Sequence, residues 1–158
     1  MKTKLGLVLL IPSILFFHIS DGGVPEKYEL RPNPKLNSEV RAFLESKHSP
    51  LAAHTDLLLK QKHWKLIVAI SAIESQYCKR QLGNNCWGIT SVKGGYTSYP
   101  SFAEGVVDAD ALISRWQARG RWLTVDDMNC HYVVPCNPNW VYVVNTVLKQ
   151  LEEYERFR

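Results

Sequence analysis

The chain has 158 residues, 46% of them hydrophobic and 22% charged, which suits one globular domain with a real core and leaves little room for a second. Its net charge is +4, with lysines and arginines scattered rather than gathered into runs. That balance favours loose attraction to anionic polymers, bacterial wall or nucleic acid, without choosing between them. There is no internal repeat, no low-complexity tract, no nucleotide-binding glycine loop and no recognised nucleic-acid motif, so a nucleic-acid partner is not expected.

Lys2 and Lys4 precede an apolar stretch from Leu5 to Ile19, after which Ser20 to Gly23 turns polar. The pattern predicts a signal peptide over residues 1–22, since the stretch is shorter than the ~20 residues usual for a spanning helix. Phe17, His18 and Ile19 are too bulky for a clean cleavage site, which keeps an uncleaved membrane anchor open as the alternative. Residues 23–37 are polar and carry Pro25, Pro32 and Pro34, the composition of a tether. A single domain is expected over residues 38–158.

Within that domain Ser38 is a candidate N-cap, with Val40, Phe43 and Leu44 on one helical face. Ser49-Pro50 offers a second cap with proline at the first helical position, for a helix from Leu51 to about Lys62. The segment from Trp64 to Lys79 is the most apolar of the domain and predicts a buried helix, stopped near Lys79-Arg80 and Gly83. Asn84 to Tyr99, with the Gly94-Gly95 turn, suits a small hairpin or irregular lobe. Ser101 and Glu104 form a capping box for a helix that runs toward Gly120, with Phe102, Val106, Ala109, Ile113 and Trp116 at helical spacing. A short helix starts at Thr124, a proline-containing loop spans Cys130 to Asn139, and a closing amphipathic helix runs on from Trp140. The expected class is mainly α, formally α+β through the small hairpin lobe.

The four cysteines fit an oxidising destination and two disulfides. Cys78 with Cys86 and Cys130 with Cys136 are the simplest of the three pairings, because both loops are short. A zinc site is the rival reading, but neither pair has the tight CxxC spacing and only His131 lies beside a cysteine, so no metal is expected.

Glu74 is the only acidic residue between Trp64 and Lys79. A carboxylate in so apolar a helix is costly, and desolvation raises its pKa toward the range a general acid needs. The competing reading puts Glu74 on a solvent stripe with Ser71, Ser75 and Lys79. Ala69-Ile70-Ser71-Ala72-Ile73-Glu74-Ser75 resembles the catalytic-helix motif of the lysozyme-like superfamily, which includes soluble lytic transglycosylases and bacterial endo-N-acetylglucosaminidases. Asn84-Asn85-Cys86-Trp87-Gly88-Ile89 is similar to the Asn-x-(Phe/Trp)-Gly-(Ile/Leu) motif found after that helix in such enzymes. The stretch Tyr96 to Phe102 with Ala103-Glu104-Gly105 matches their aromatic segment and next helix, so the resemblance runs from about His54 to Leu151.

The resemblance implies a lysozyme-like fold with a cleft at the end of the central helix and Glu74 as catalytic acid. Sugar rings have apolar faces and hydroxyl rims, so aromatic platforms beside amide groups suit them. Trp87, Tyr96, Tyr99 and Tyr132 are the candidate platforms, and Asn85 and Asn139 the candidate polar contacts. No second carboxylate is convincing: Glu104 and Asp126-Asp127 are explained as helix starts, and Asp108 and Asp110 fall off the apolar stripe and are expected to be solvated. The expectation is therefore a monomeric, secreted or membrane-anchored glycosidase without cofactor, acting on peptidoglycan or a related N-acetylhexosamine polymer through a single glutamate. A wall-binding module that has kept the fold and lost turnover is the alternative.

Overall fold

The structure is a computed structural model and describes residues 33–156, so the expected signal or anchor segment and the tether up to residue 32 lie outside the described residues. Six α-helices and one 3-10 turn make up the described chain: α1 (Pro34–Ser46), the 3-10 turn (Pro50–His54), α2 (Thr55–Leu58), α3 (Trp64–Ser75), α4 (Phe102–Gln117), α5 (Val125–Tyr132) and α6 (Pro138–Arg156). The protein is mainly α. The expected β content reduces to two isolated antiparallel bridges, Leu82 with Asn85 and Thr90 with Tyr96.

α1 starts earlier than the Ser38 cap predicts. Asn33 is the N-cap, its side chain accepts from the Lys35 N–H, and Pro34 takes the first helical position. That asparagine–proline pair is itself a start signal, so the last residues assigned to the tether form the first turn of a helix. Ser49 does cap the next segment, accepting from the Leu51 N–H at 3.2 Å. The segment it caps is a 3-10 turn and one turn of α-helix rather than a helix reaching Lys62, with Leu51, Thr55 and Leu58 buried along it.

The core is organised around α3. Ile67, Val68, Ala69, Ile70 and Ser71 are all buried, so the helix is enclosed on most sides, as its continuous apolar run requires. α6 packs along α3 through Trp140, Val144, Val147 and Leu151. Phe43 of α1 meets Tyr77 and Tyr154 edge-on at 6.0 and 6.2 Å, joining the first and last helices to the end of α3. A salt bridge of 2.8 Å between Lys65 and Glu155 ties α3 to α6 at the other end.

α3 ends at Ser75, four residues before the expected stop. Gln76, Tyr77 and Cys78 all have positive φ, 52°, 58° and 67°, a left-handed run that costs non-glycine residues of order 1 kcal/mol each. Several bonds hold it: the Tyr77 N–H reaches back to the Ser71 carbonyl at 2.8 Å, and Ser75 Oγ accepts from the Cys78 N–H at 3.1 Å. The same hydroxyl lies 2.8 Å from the Cys86 carbonyl, and the Cys78–Cys86 disulfide closes the turn.

α4 begins at the expected box, with Ser101 Oγ accepting from the Glu104 N–H at 3.3 Å. Gly105 lets α4 approach the Trp87 loop: a Cβ there would come within 2.8 Å of both the Asn84 carbonyl and the Trp87 ring. Thr124 caps α5 through the Asp127 N–H at 3.1 Å. The loop between α5 and α6 is shorter than predicted, because α5 continues through Cys130 to Tyr132 and α6 begins at Pro138 with Asn137 accepting from the Asn139 N–H. The second disulfide, Cys130–Cys136, spans that loop.

Two disulfides fit an oxidising compartment. No helix among the described residues is long and apolar enough to cross a membrane.

Candidate active site

Glu74 occupies the last turn of α3, one residue before the end of the helix. Ser71 and Ser75 are buried, so the solvent stripe of the competing reading is broken at its two serines, although Glu74 and Lys79 are themselves exposed. The residue as a whole is exposed, but its carboxyl is flanked by the Trp140 indole and by the Gly88 backbone. Burial pushes its pKa up, opposed by the Trp140 indole N–H, which donates to Oε1 at 2.8 Å. The negative end of the α3 dipole works in the same upward direction.

Gly88 flanks the other carboxylate oxygen. Its φ is +65°, and a Cβ built there would stand 3.3 Å from Glu74 Oε2. Glycine therefore meets two demands at one position, the left-handed backbone and the close approach to the acid. The loop that presents it is fixed by Asn85, whose Nδ2 donates to the carbonyls of Ile89 and Thr97 at 2.7 and 2.9 Å. Its Oδ1 accepts from the N–H groups of Trp87 and Ile89. An amide side chain suits this position because it offers donors and an acceptor at once to the four backbone groups around it, of which the Ile89 carbonyl also accepts from the Thr97 N–H at 2.8 Å.

Two hollows meet at Gly88. One, of about 160 Å³, is lined by Glu74, Ser75, Arg80, Leu82, Asn85, Gly88 and Tyr96. The other, of about 290 Å³, is lined by Gly88, Ile89, Thr90, Leu112, Trp116, Trp122, His131 and Tyr132. The larger is aromatic in character: Trp116 stacks on Trp122 at 5.3 Å, Trp122 lies 5.4 Å from Tyr132, and Tyr132 lies 5.6 Å from Trp140. This ladder of rings leads from the protein surface to the indole that holds Glu74.

The predicted site residues divide into three groups. Tyr96, 64% exposed, and Asn85 share the smaller hollow with Glu74, and Tyr132 lines the larger. Tyr132 donates its hydroxyl hydrogen to the Trp87 carbonyl. Burial, with the charge of Glu74 and then Tyr99 adding to it, pushes its pKa well up, so it stays a neutral phenol. Trp87 and Tyr99 support the site rather than offer a face to a ligand. Trp87 is only 1% exposed, with its indole N–H donating to the Ile67 carbonyl at 2.9 Å. Tyr99 donates to Asp108 at 2.7 Å, and burial and that bond raise its pKa. Asn139 is exposed on the first turn of α6 and lines neither hollow.

Asp108 and Asp110 are not the solvated residues their position off the apolar stripe suggested. Asp108 is half-buried between the Tyr99 hydroxyl and Arg115, 3.8 Å away. Asp110 accepts from the His63 N–H at 2.8 Å, so it caps α3 from a neighbouring helix. Both carboxylates have structural partners and neither lines the two hollows.

Sequence reasoning missed Trp140, Trp116, Trp122, Arg80 and Gly88 as site residues. Trp140 and Trp116 lie on the apolar stripes of their helices, where an indole reads as core, and the one polar atom of Trp140 finds Glu74 across 66 positions of sequence. Gly88 carried a usable signal: a glycine directly after the Trp87 core anchor, in a motif already tied to the acid. Among the described residues no group of three or more histidine, cysteine or acidic side chains is placed to hold a metal ion.

Comparison with protein-family models and with curated proteins gives no match for the chain.

Proposed function

We propose that this protein is an exported glycan-cleaving enzyme of lysozyme-like type, acting on peptidoglycan or a related N-acetylhexosamine polymer, with Glu74 as its single acid/base group. The observation that carries the reading is the Glu74 carboxyl itself: held by Trp140, raised in pKa by burial, and set where an aromatic hollow and a polar hollow meet. An acid that cuts within a chain needs sugar on both sides of the bond, and two hollows meeting beside it meet that need.

In this reading a sugar lies against the Trp116 and Tyr132 side of the groove, which the buried Trp122 backs, while its neighbour lies toward Tyr96. Protonated Glu74 gives its proton to the bridging oxygen as the bond breaks. The carboxylate left behind then takes a proton from a hydroxyl of the same sugar, closing an anhydro ring, or from water, giving a reducing end. Trp140 supports both steps, since its N–H stabilises the carboxylate formed after donation. Tyr132 has committed its proton to Trp87 and so presents oxygen lone pairs to the positive charge that develops on the ring. The structural duties of Asp108 and Asp110 support a one-acid mechanism.

The test is digestion of purified peptidoglycan by the protein, with mass spectrometry of the soluble products. Anhydro ends or new reducing ends support the proposal and tell the two outcomes of the second step apart. Tight binding of the polymer with no soluble product would replace it with the wall-binding alternative.

A further inference from the structure

Arg80 has no part in the acid–base scheme, although it lines the same hollow as Glu74. Its backbone N–H bonds to the Ser75 carbonyl at 2.9 Å, so the residue is anchored to the end of α3 just past Cys78 and its bridge to Cys86. The three ion pairs among the described residues are Lys35–Glu39, Lys65–Glu155 and Arg115–Asp108, and none uses Arg80. It is also the only basic side chain among the residues that line this hollow.

A guanidinium paired with Glu74 would stabilise the carboxylate and pull its pKa down. The acid is instead pushed up by burial, and the Trp140 bond is the one influence opposing that rise. The Arg80 charge is therefore not spent on the catalytic acid. A planar fork of donors beside a reactive centre is suited to carboxylates, which it can bind through two parallel hydrogen bonds. Leu82, 70% exposed, and Tyr96 supply apolar surface beside it for the body of the same group.

We propose that Arg80 binds a carboxylate carried by the glycan next to the bond Glu74 cleaves, making this site selective for acidic over neutral N-acetylhexosamine polymers. The proposal rests on the glycan-cleaving reading and names the substrate class of that site. The carboxylate has two sources in a wall polymer, an acidic ether substituent on the sugar or a peptide stem attached to it.

The experiment compares the full chain with its Arg80→Ala and Arg80→Lys variants on three probes: neutral N-acetylglucosamine oligomers, stem-free wall strands that expose their ether carboxylates, and intact stem-bearing strands. Binding is measured separately from turnover, on versions of each protein carrying Glu74→Gln. The expected result for Arg80→Ala is weaker binding and higher KM on an acidic probe, about 3- to 10-fold, as for a charge-assisted pair in a solvent-open site. Its kcat should fall by less than its KM rises, and its loss on the neutral oligomer should be smaller than on an acidic probe. Arg80→Lys should recover part of the loss, and the loss should shrink as salt is raised. A loss on stem-free strands assigns the contact to the sugar substituent, and a loss on intact strands alone assigns it to the stem. Equal weakening on neutral and acidic probes, or none on either acidic probe, overturns the proposal. A wild-type protein that releases nothing but shows the Arg80-dependent preference in binding would retire the catalytic reading and leave the anion site standing.

Discussion

Replacing Glu74 by glutamine is the most demanding perturbation of the proposed mechanism, because the structure gives the side chain one partner and that partner can be kept. Glutamine retains the length and shape, and its amide oxygen can still accept from the Trp140 N–H that now reaches Oε1 at 2.8 Å. It can neither donate a proton to a bridging oxygen nor remove one afterwards. General acid–base assistance contributes about 10²–10⁴ in rate, equivalent to roughly 2.7–5.4 kcal/mol of activation free energy, and the loss should reach the upper end if one group serves both steps. Stability should not fall with it. The folded-state pKa of Glu74 is raised, so deprotonation costs the fold stability as pH rises through the window between the unfolded and folded values. Removing that carboxyl makes the variant as stable as wild type at neutral pH or slightly more so, and the difference should vanish below the ordinary carboxylate range, where wild type is protonated in both states. The assay is release of soluble fragments from peptidoglycan, with thermal melts across pH on the same samples. Asp108→Asn and Asp110→Asn are the controls, since asparagine can still accept from Tyr99 or from the His63 N–H. Near wild-type release by Glu74→Gln, or an equal loss in either aspartate variant, would refute the one-acid mechanism.

Trp140→Phe removes the donor that stabilises the charged form of Glu74, so the alkaline limb of the kcat/KM profile should move to higher pH; an unmoved or lowered limb would show that this bond does not set the acid. Gly88→Ala adds left-handed strain of about 1 kcal/mol and places a methyl 3.3 Å from Glu74 Oε2, so a drop of roughly 3–6 °C in melting temperature with a larger loss of turnover is expected from calorimetry and product release. A double Cys78→Ala, Cys86→Ala variant should lose about 2–3 kcal/mol in urea titration by the chain-entropy argument, with turnover falling as the left-handed turn after α3 loosens; unchanged stability would mean that the hydrogen bonds of Ser75 suffice to hold that turn.

The helical skeleton was legible wherever a local signal decided it. Ser101 and Thr124 mark the starts of α4 and α5 because a cap and its partner lie three residues apart, and the apolar run through Ile67 to Ile70 marks a helix buried on most sides. Errors gathered at helix ends set by tertiary contacts. α3 stops at Ser75 because a serine hydroxyl, a disulfide and the Cys86 carbonyl hold three left-handed residues in place, and no local propensity favours Gln76-Tyr77-Cys78 in that conformation.

The candidate site was legible for its lone carboxylate and opaque for the walls around it. Glu74 is conspicuous as a lone carboxylate in an apolar helix, a property of nearest neighbours in sequence. Whether an aromatic residue is core or wall depends instead on which side of its helix faces another element. Trp87, the most prominent aromatic of the motif, turns out to be an internal anchor that hydrogen-bonds to α3, whereas the half-buried Trp116 lines the larger hollow, stacked on the buried Trp122. The same limit governs the aspartates. Asp108 and Asp110 lie off the apolar stripe of α4, and periodicity alone sends them to solvent, yet each is committed to a neighbour brought close only by folding. That commitment strengthens the single-acid reading more than solvation would have done. A solvated aspartate at the edge of a cleft can swing toward a bound sugar at little cost, while these two would first have to give up the cap of α3 or the Tyr99 hydroxyl, leaving a polar group without a partner.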